Sequence, residues 1–244
     1  VLQNTSKTLL LRYAVSGKQL FLYSAAVLAT ESIKASLSII WVLSTGGSPS
    51  SIVNFMRIEW RTFLRVLIPA GVYNCQQMLE FVALARLEPH VFSVLVQTKL
   101  LTTALFSVLL MGKQLSQRQV LALLMLLCGV LLAQMHGGKG NPLLHVDIRS
   151  EALVGVFATL TIATLSGFAA VYTERVLKRG GQQTSKDMLP YVQIQMATAS
   201  LLVIGVFALV LDAPAIAEHG LWRGFDAAAM LAVASSALGG LIVS

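Results

Sequence analysis

Long, nearly uninterrupted apolar runs constrain this chain more than any other feature. They fall at about 21–43, 64–85, 91–111, 118–135, 152–177, 188–211 and 225–244, and residues 1–12 look like the tail of another. A hydrocarbon layer of ~30 Å needs about 20 mostly apolar residues in a helix. Each run has that length, and none shows the ten-residue alternation of a membrane strand. The expectation is an all-α polytopic membrane protein with seven clear spans and one partial one, about eight in all. Composition agrees, with 56% hydrophobic residues, 12% charged and a mean hydropathy of +0.75. A soluble domain carries about a quarter charged residues, so soluble enzymes, disordered tails and nucleic-acid modules are excluded as classes.

The net charge of +7 does not reverse this. The 18 Lys and Arg are scattered over the connections with no run of five or six, which argues against a nucleic-acid partner and for topology signals at the bilayer surface. Alternate connections differ in charge. One side collects Arg57, Arg61, Arg65, Lys113, Arg118, Arg175, Lys178, Arg179 and Lys186; the other collects Arg12, Lys18, Arg86, Lys139, Arg149 and Arg223. The first set is therefore expected on the cytoplasmic side. Breakers separate the runs at Gly46-Gly47-Ser48-Pro49-Ser50-Ser51, Gly137-Gly138-Lys139-Gly140-Asn141-Pro142 and Arg179-Gly180-Gly181-Gln182. The longest polar stretch, 136–151, divides the chain, as it would in a five-plus-five-helix transporter built from two inverted repeats. That reading makes 1–135 the first repeat, 136–151 the inter-repeat loop and 152–244 the second repeat. The chain opens without Met and closes within an apolar run, so the expectation is a piece of a longer protein with the second repeat truncated.

Charges within the runs need a physical reason, since one near the bilayer centre costs about 2.5–3.5 kcal/mol. Glu31 and Lys34 stand three residues apart and share a helix face, so they can neutralise each other. The alternative has Lys34 also facing a water-filled cavity and attracting an anion. Lys99 has only Leu95, Val96, Thr102 and Thr103 at helical spacing, hence no carboxylate on its own helix. Either it pairs with Glu80 or Glu31 on another helix, or it awaits the phosphates of a substrate; a carrier could use both in turn. Thr102 and Thr103 make the same face hydroxylated. Ser93, Gln97 and Ala104 form a small and polar stripe that serves helix packing, with Gln97 the exception as a ligand contact. Thr159, Ala163, Ser166, Gly167 and Ala170 form a second small-residue face, read as close helix contact or as a substrate-facing wall. Tyr172 could stack on a base or anchor the membrane interface. Glu174 and Arg175, at the end of that run, read as solvated charges.

Chemistry of other kinds has no foothold. There is no GxSxG, Walker loop, HExxH or usefully spaced carboxylate pair, so no catalytic residue is assigned. Cys75 and Cys128 are isolated thiols within apolar stretches, and His90, His136, His145 and His219 are dispersed. No metal or other cofactor is expected.

Four segments carry a resemblance. Gln97-Thr98-Lys99-Leu100-Leu101-Thr102-Thr103-Ala104-Leu105-Phe106-Ser107-Val108-Leu109, continuing through Gly112-Lys113-Gln114-Leu115-Ser116 to Gln119, is similar to the segment YQLKILTTALFSVL of the nucleotide-sugar transporters of the Golgi and endoplasmic reticulum. Ser166 to Lys178 resembles that family's SGFAGVYFEKILK, Thr30-Glu31-Ser32-Ile33-Lys34 its TEVIK, and Ile194-Gln195-Met196 its NIQM. The resemblance implies the ten-helix drug/metabolite transporter fold with cytoplasmic termini. It implies exchange of a cytosolic nucleotide sugar for the luminal nucleoside monophosphate, without metal, ATP or covalent step. The leucine-threonine-threonine run after Lys99 looks most like carriers of UDP-galactose and UDP-N-acetylglucosamine. Lys99 and Lys34 would sit near the phosphates, and Ser166, Gly167, Ala170 and Tyr172 would line the nucleotide pocket. A Golgi membrane location is implied, the endoplasmic reticulum being possible, as is a homodimer. Departures stand at Phe92 and Val96, where the family carries tyrosines, at Gln77 and Met78 for its paired asparagines, and at Tyr191-Val192-Gln193 for VRN. A carrier of phosphorylated metabolites and a non-transporting membrane scaffold of the same fold are the alternatives.

Overall fold

The computed structural model describes residues 2–15, 22–136, 150–179 and 189–243. Among them, regular structure is helical throughout. In order these are α1 (Leu2–Val15), α2 (Tyr23–Ser44), α3 (Pro49–Ile58), α4 (Trp60–Arg86), α5 (Pro89–Leu95), a 3-10 turn Val96–Thr98, α6 (Lys99–Met111), α7 (Gln117–His136), α8 (Ser150–Arg179), α9 (Leu189–Leu211), α10 (Ala213–His219) and α11 (Ala227–Val243). Every apolar run in the sequence is thus helical. By length and composition, Tyr23–Ser44, Pro89–Met111, Ala152–Val176 and Pro190–Val210 can cross a membrane, and Gln117–Val130 and Ala227–Gly240 are shorter apolar helices. The chain is a polytopic membrane protein. Helix α4, counted as a span from sequence, falls outside the four because Asn74, Gln76, Gln77 and Glu80 interrupt its apolar stretch.

Two local features differ from the sequence reading. The Gly46–Ser51 breaker is a turn only in its first half, because Ser48 starts a helix. Its Oγ accepts from the Ser51 amide at 3.2 Å while Ser51 Oγ accepts from the Ser48 amide at 3.1 Å, and Pro49 occupies the first turn. The run 91–111 is also not one helix. At Val96–Thr98 it tightens to a 3-10 turn, with the Thr98 hydroxyl donating to the Leu95 carbonyl at 2.8 Å, and Lys99 opens a new helix beyond it. That helix stops at Gly112, whose φ of 64° is left-handed backbone that a glycine adopts freely. Of the inter-repeat loop, residues 137–149, His145 among them, lie outside the described residues, as does the Gly180–Gln182 breaker; His136 ends α7 and Ser150 starts α8.

The chain forms two compact units, Val1–Met78 with Val176–Ser244, and Leu79–Arg175. In the first, α2 lies along α9, α1 along α11, and α11 also packs on α2. The buried stripe of α2 is Ser24, Val27, Thr30, Glu31, Ser38 and Val42, while Ile39, Ile40, Trp41 and Leu43 point outward. Helix α9 repeats the pattern, burying Gln195, Ser200 and Ile204 and exposing Leu202, Val206, Leu209 and Val210. Polar groups inside and large apolar ones outside are what a lipid solvent selects, because hydrocarbon offers no partner to a buried amide or carboxylate. Small residues such as Ala25, Ala26 and Ala199 let the helices approach closely. In the second unit Leu87, Val91 and Leu95 form a core packed by Val156.

Candidate functional site

Each unit holds one cluster of sequence-predicted residues. In the first, Glu31 is 1% exposed and Lys34 20%. Lys34 Nζ stands 2.6 Å from Glu31 Oε1, and Gln77 Nε2 donates to that same oxygen at 3.0 Å. The (i, i+3) spacing of α2 supplies the first contact; the second comes from α4, 46 residues along the chain. Gly240 on α11 closes the cluster. A Cβ there would lie 2.9 Å from Lys34 Cδ, so the absent side chain makes room for the lysine stem. The mutual neutralisation read from spacing is therefore realised, with a carboxamide added that the sequence did not announce.

The second cluster surrounds Lys99, half-buried at the first position of α6. Among the described residues, no carboxylate or hydrogen-bond acceptor engages its ammonium group. Glu80, the acid considered for it, is half-buried and otherwise engaged, and forms no ion pair with Lys99. Glu31 is taken by Lys34 and Gln77 within its own unit. The hydroxyls beside Lys99 differ from expectation. Thr103 Oγ1 donates to the Lys99 carbonyl at 2.7 Å, and Thr102 Oγ1 to the carbonyls of Lys99 and Ala163 at 3.0 and 2.7 Å. Their protons are committed to backbone; only oxygen lone pairs remain.

Gly167 sits where α8 meets α6. A Cβ would fall 2.7 Å from the Thr103 amide nitrogen and 2.8 Å from the Thr102 carbonyl carbon, so only glycine fits this approach. Ser166, the residue before it, is half-buried, and Ala170, about a turn beyond, is exposed. Tyr172, half-buried, belongs to an aromatic row. Its ring lies 5.6 Å from Phe168, which meets Phe106 edge-on at 5.6 Å. Gln97 is exposed in the 3-10 turn and lines, with Ser93, Ala122, Met125 and Gly129, a groove of about 610 Å³. Ala104 belongs to a different groove, with Leu100, Leu115 and Gln119. Both grooves share Ala122 and Leu126 of α7. Glu174, expected as a solvated charge, accepts from Lys113 Nζ at 2.9 and 3.2 Å.

Several buried polar residues escaped the sequence reading. Gln195 is fully buried, its Nε2 reaching the Glu59 carbonyl at 3.4 Å and its Oε1 without a partner among the described residues. Asn74 donates to the Ser200 carbonyl at 2.8 Å, and Gln76 Oε1 and Thr173 Oγ1 are buried without partners among the described residues. Ser24 donates to the Asp212 carboxylate, and Ser51 and Tyr191 share a hydrogen bond of 2.9 Å. A carboxamide inside an apolar run was the available signal for Asn74, Gln76 and Gln195, because such a group in hydrocarbon is costly unless something faces it.

The geometry offers lysine ammonium groups on apolar helices, with no group of three metal-binding side chains among the described residues. The family profile described as nucleotide-sugar transporter matches residues 1–244. The chain belongs to the nucleotide-sugar transporter family. It is 32% identical over 254 residues to the mouse UDP-N-acetylglucosamine transporter, covering all of this chain and 76% of that protein. It is 32% identical over 250 residues to the UDP-galactose/UDP-N-acetylglucosamine transporter srf-3 of Caenorhabditis elegans, 65% of which is covered. The mouse UDP-galactose translocator is 30% identical over 250 residues, with 62% covered. As a nucleotide-sugar transporter the chain is a carrier and not an enzyme, and its helices make it a multi-pass membrane protein.

Proposed function

We propose that this nucleotide-sugar transporter carries UDP-N-acetylglucosamine or UDP-galactose across the Golgi membrane in exchange for a nucleoside monophosphate. The names of its relatives support the UDP-sugar class. One observation carries the mechanism: the Lys99 ammonium stands half-buried in an apolar helix with no anion beside it among the described residues. An unneutralised cation at that depth is costly, and a diphosphate offers the missing charge with several strong acceptors. Lys34 is a second phosphate contact, exchanging Glu31 for the ligand while Gln77 keeps hold of the carboxylate. Ser166, Gly167, Ala170 and Tyr172 form the nucleotide wall, and Gln97 contributes a polar contact. Residues 1–135 and 152–244 belong to two inverted five-helix repeats of the drug/metabolite transporter fold, which rock about the bound ligand. The outgoing monophosphate supplies the driving force.

The test is counterflow with the full-length protein in proteoliposomes preloaded with UMP, CMP or GMP and offered labelled nucleotide sugars. UMP is expected to drive UDP-sugar uptake, and Lys99→Ala to abolish it at unchanged expression. Undiminished uptake by Lys99→Ala refutes the mechanism, and uptake indifferent to every nucleoside monophosphate favours a carrier of other phosphorylated metabolites.

A further inference from the structure

The junction of α3 and α4 carries a feature that neither the fold nor the transport reaction uses. Arg57, Arg61 and Arg65 are all exposed, and among the described residues none forms an ion pair. Two backbone hydrogen bonds bridge the junction, from the Glu59 amide to the Phe55 carbonyl at 2.9 Å and from the Phe63 amide to the Glu59 carbonyl at 3.0 Å. Glu59 itself, with φ −92° and ψ 30°, is a turn, so Arg61 and Arg65 stand one turn apart on α4 while Arg57 belongs to the last turn of α3. Glu59, the acid within this segment, is half-buried and accepts from the Thr62 hydroxyl at 2.8 Å.

Exposed apolar side chains accompany the arginines on both helices: Val53 and Ile58, the latter 75% exposed, on α3, and Trp60, Leu64 and Ile68 on α4. The Arg61 guanidinium lies 5.7 Å over the Trp60 ring. The opposite face of α3 is fastened to α9 through Phe55, whose ring is 5.2 Å from that of Tyr191, and through the Ser51–Tyr191 hydrogen bond. The stripe is thus held by protein on one side and turned outward on the other. Guanidinium groups interleaved with tryptophan and aliphatic side chains belong at headgroup depth, where stems and rings meet acyl chains while the charges meet phosphates.

We propose that the Arg57–Arg61–Arg65 stripe is a binding site for anionic phospholipid headgroups. Zwitterionic headgroups leave three unpaired guanidinium groups with no net counter-charge, so the stripe discriminates by charge. The flanking apolar side chains confine it to lipid in a bilayer. Neither Lys34 nor Lys99 is among its residues, so its failure leaves the transport reading untouched.

The experiment is native mass spectrometry of the full-length protein from mixed micelles of phosphatidylserine and phosphatidylcholine, alongside an Arg57→Gln/Arg61→Gln/Arg65→Gln variant and an Arg223→Gln control. Wild type and control are expected to retain phosphatidylserine preferentially. Each arginine contributes about fivefold near a charged surface, so the triple variant loses most of that preference. Should the triple variant fail to express, a salt titration of the wild type replaces it, because screening at high ionic strength must erase a charge-based preference. Equal retention of the two lipids by the wild type, a preference that survives the triple substitution or the salt, or displacement of the lipid by soluble glycerol phosphate at equal concentration overturns the proposal.

Discussion

Lys34→Met is the most informative perturbation of the first cluster. Glu31 is 1% exposed, and two donors converge on its Oε1, Lys34 at 2.6 Å and Gln77 at 3.0 Å. Removing the lysine leaves a buried carboxylate with one neutral donor. Breaking a buried pair by deleting one partner costs about 3–5 kcal/mol, because the remaining charge is uncompensated. At roughly 3 °C per kcal/mol for a chain of this size, thermal unfolding shifts down by about 10 °C. Glu31→Gln combined with Lys34→Met removes both charges and keeps the Gln77 contact, so the double variant is expected within a few degrees of wild type. The assay is a thermal melt of the full-length protein in detergent, run as a double-mutant cycle, with counterflow measured on the same preparations. Recovery of stability without recovery of transport would separate the structural task of the pair from its task in binding. A Lys34→Met melt equal to wild type, or a double variant as unstable as the sum of the two singles, would refute the pairing argument.

Three smaller perturbations probe other contacts. Gly167→Ala forces a Cβ to within 2.7 Å of the Thr103 amide, so α6 and α8 must part; overpacking of this kind costs about 1–3 kcal/mol. Gly129→Ala meets nothing within 4 Å and should melt with wild type, and equal melts for both variants would show that the helices can give way. Gln195→Met loses one long hydrogen bond and relieves an unpartnered oxygen, so the melt should stay within about 1 kcal/mol of wild type; a large drop would mean that Oε1 has a strong partner. Lys113→Gln breaks a contact whose two ends are 44% and 35% exposed, and its expected cost of under about 1 kcal/mol should shrink further in high salt.

The helices were legible because apolar run length answers to bilayer thickness rather than to neighbours, and among the described residues each run from 21–43 to 225–244 carries a helix. What escaped was local winding and remote pairing. Helix α3 hid in a serine-rich stretch because its start depends on reciprocal caps between Ser48 and Ser51. The 3-10 turn at Val96–Thr98 contains neither Gly nor Pro to announce it. Glu31–Lys34 was readable, since three residues along a helix bring side chains together whatever surrounds them.

Spacing and composition alone decided that this chain lives in lipid, that it is helical, and that Lys99 has no acid on its own helix. Only the tertiary structure decided that Gln77 joins Glu31 across 46 residues, that Thr102 bonds the Ala163 carbonyl, and that Gly167 is the point where α8 meets α6. The physical reason is range. Periodicity and run length act within a helix and are written along the chain. Which buried polar group meets which is settled by the packing of separate helices, where every carboxylate and amide must find its partner in protein because the lipid offers none.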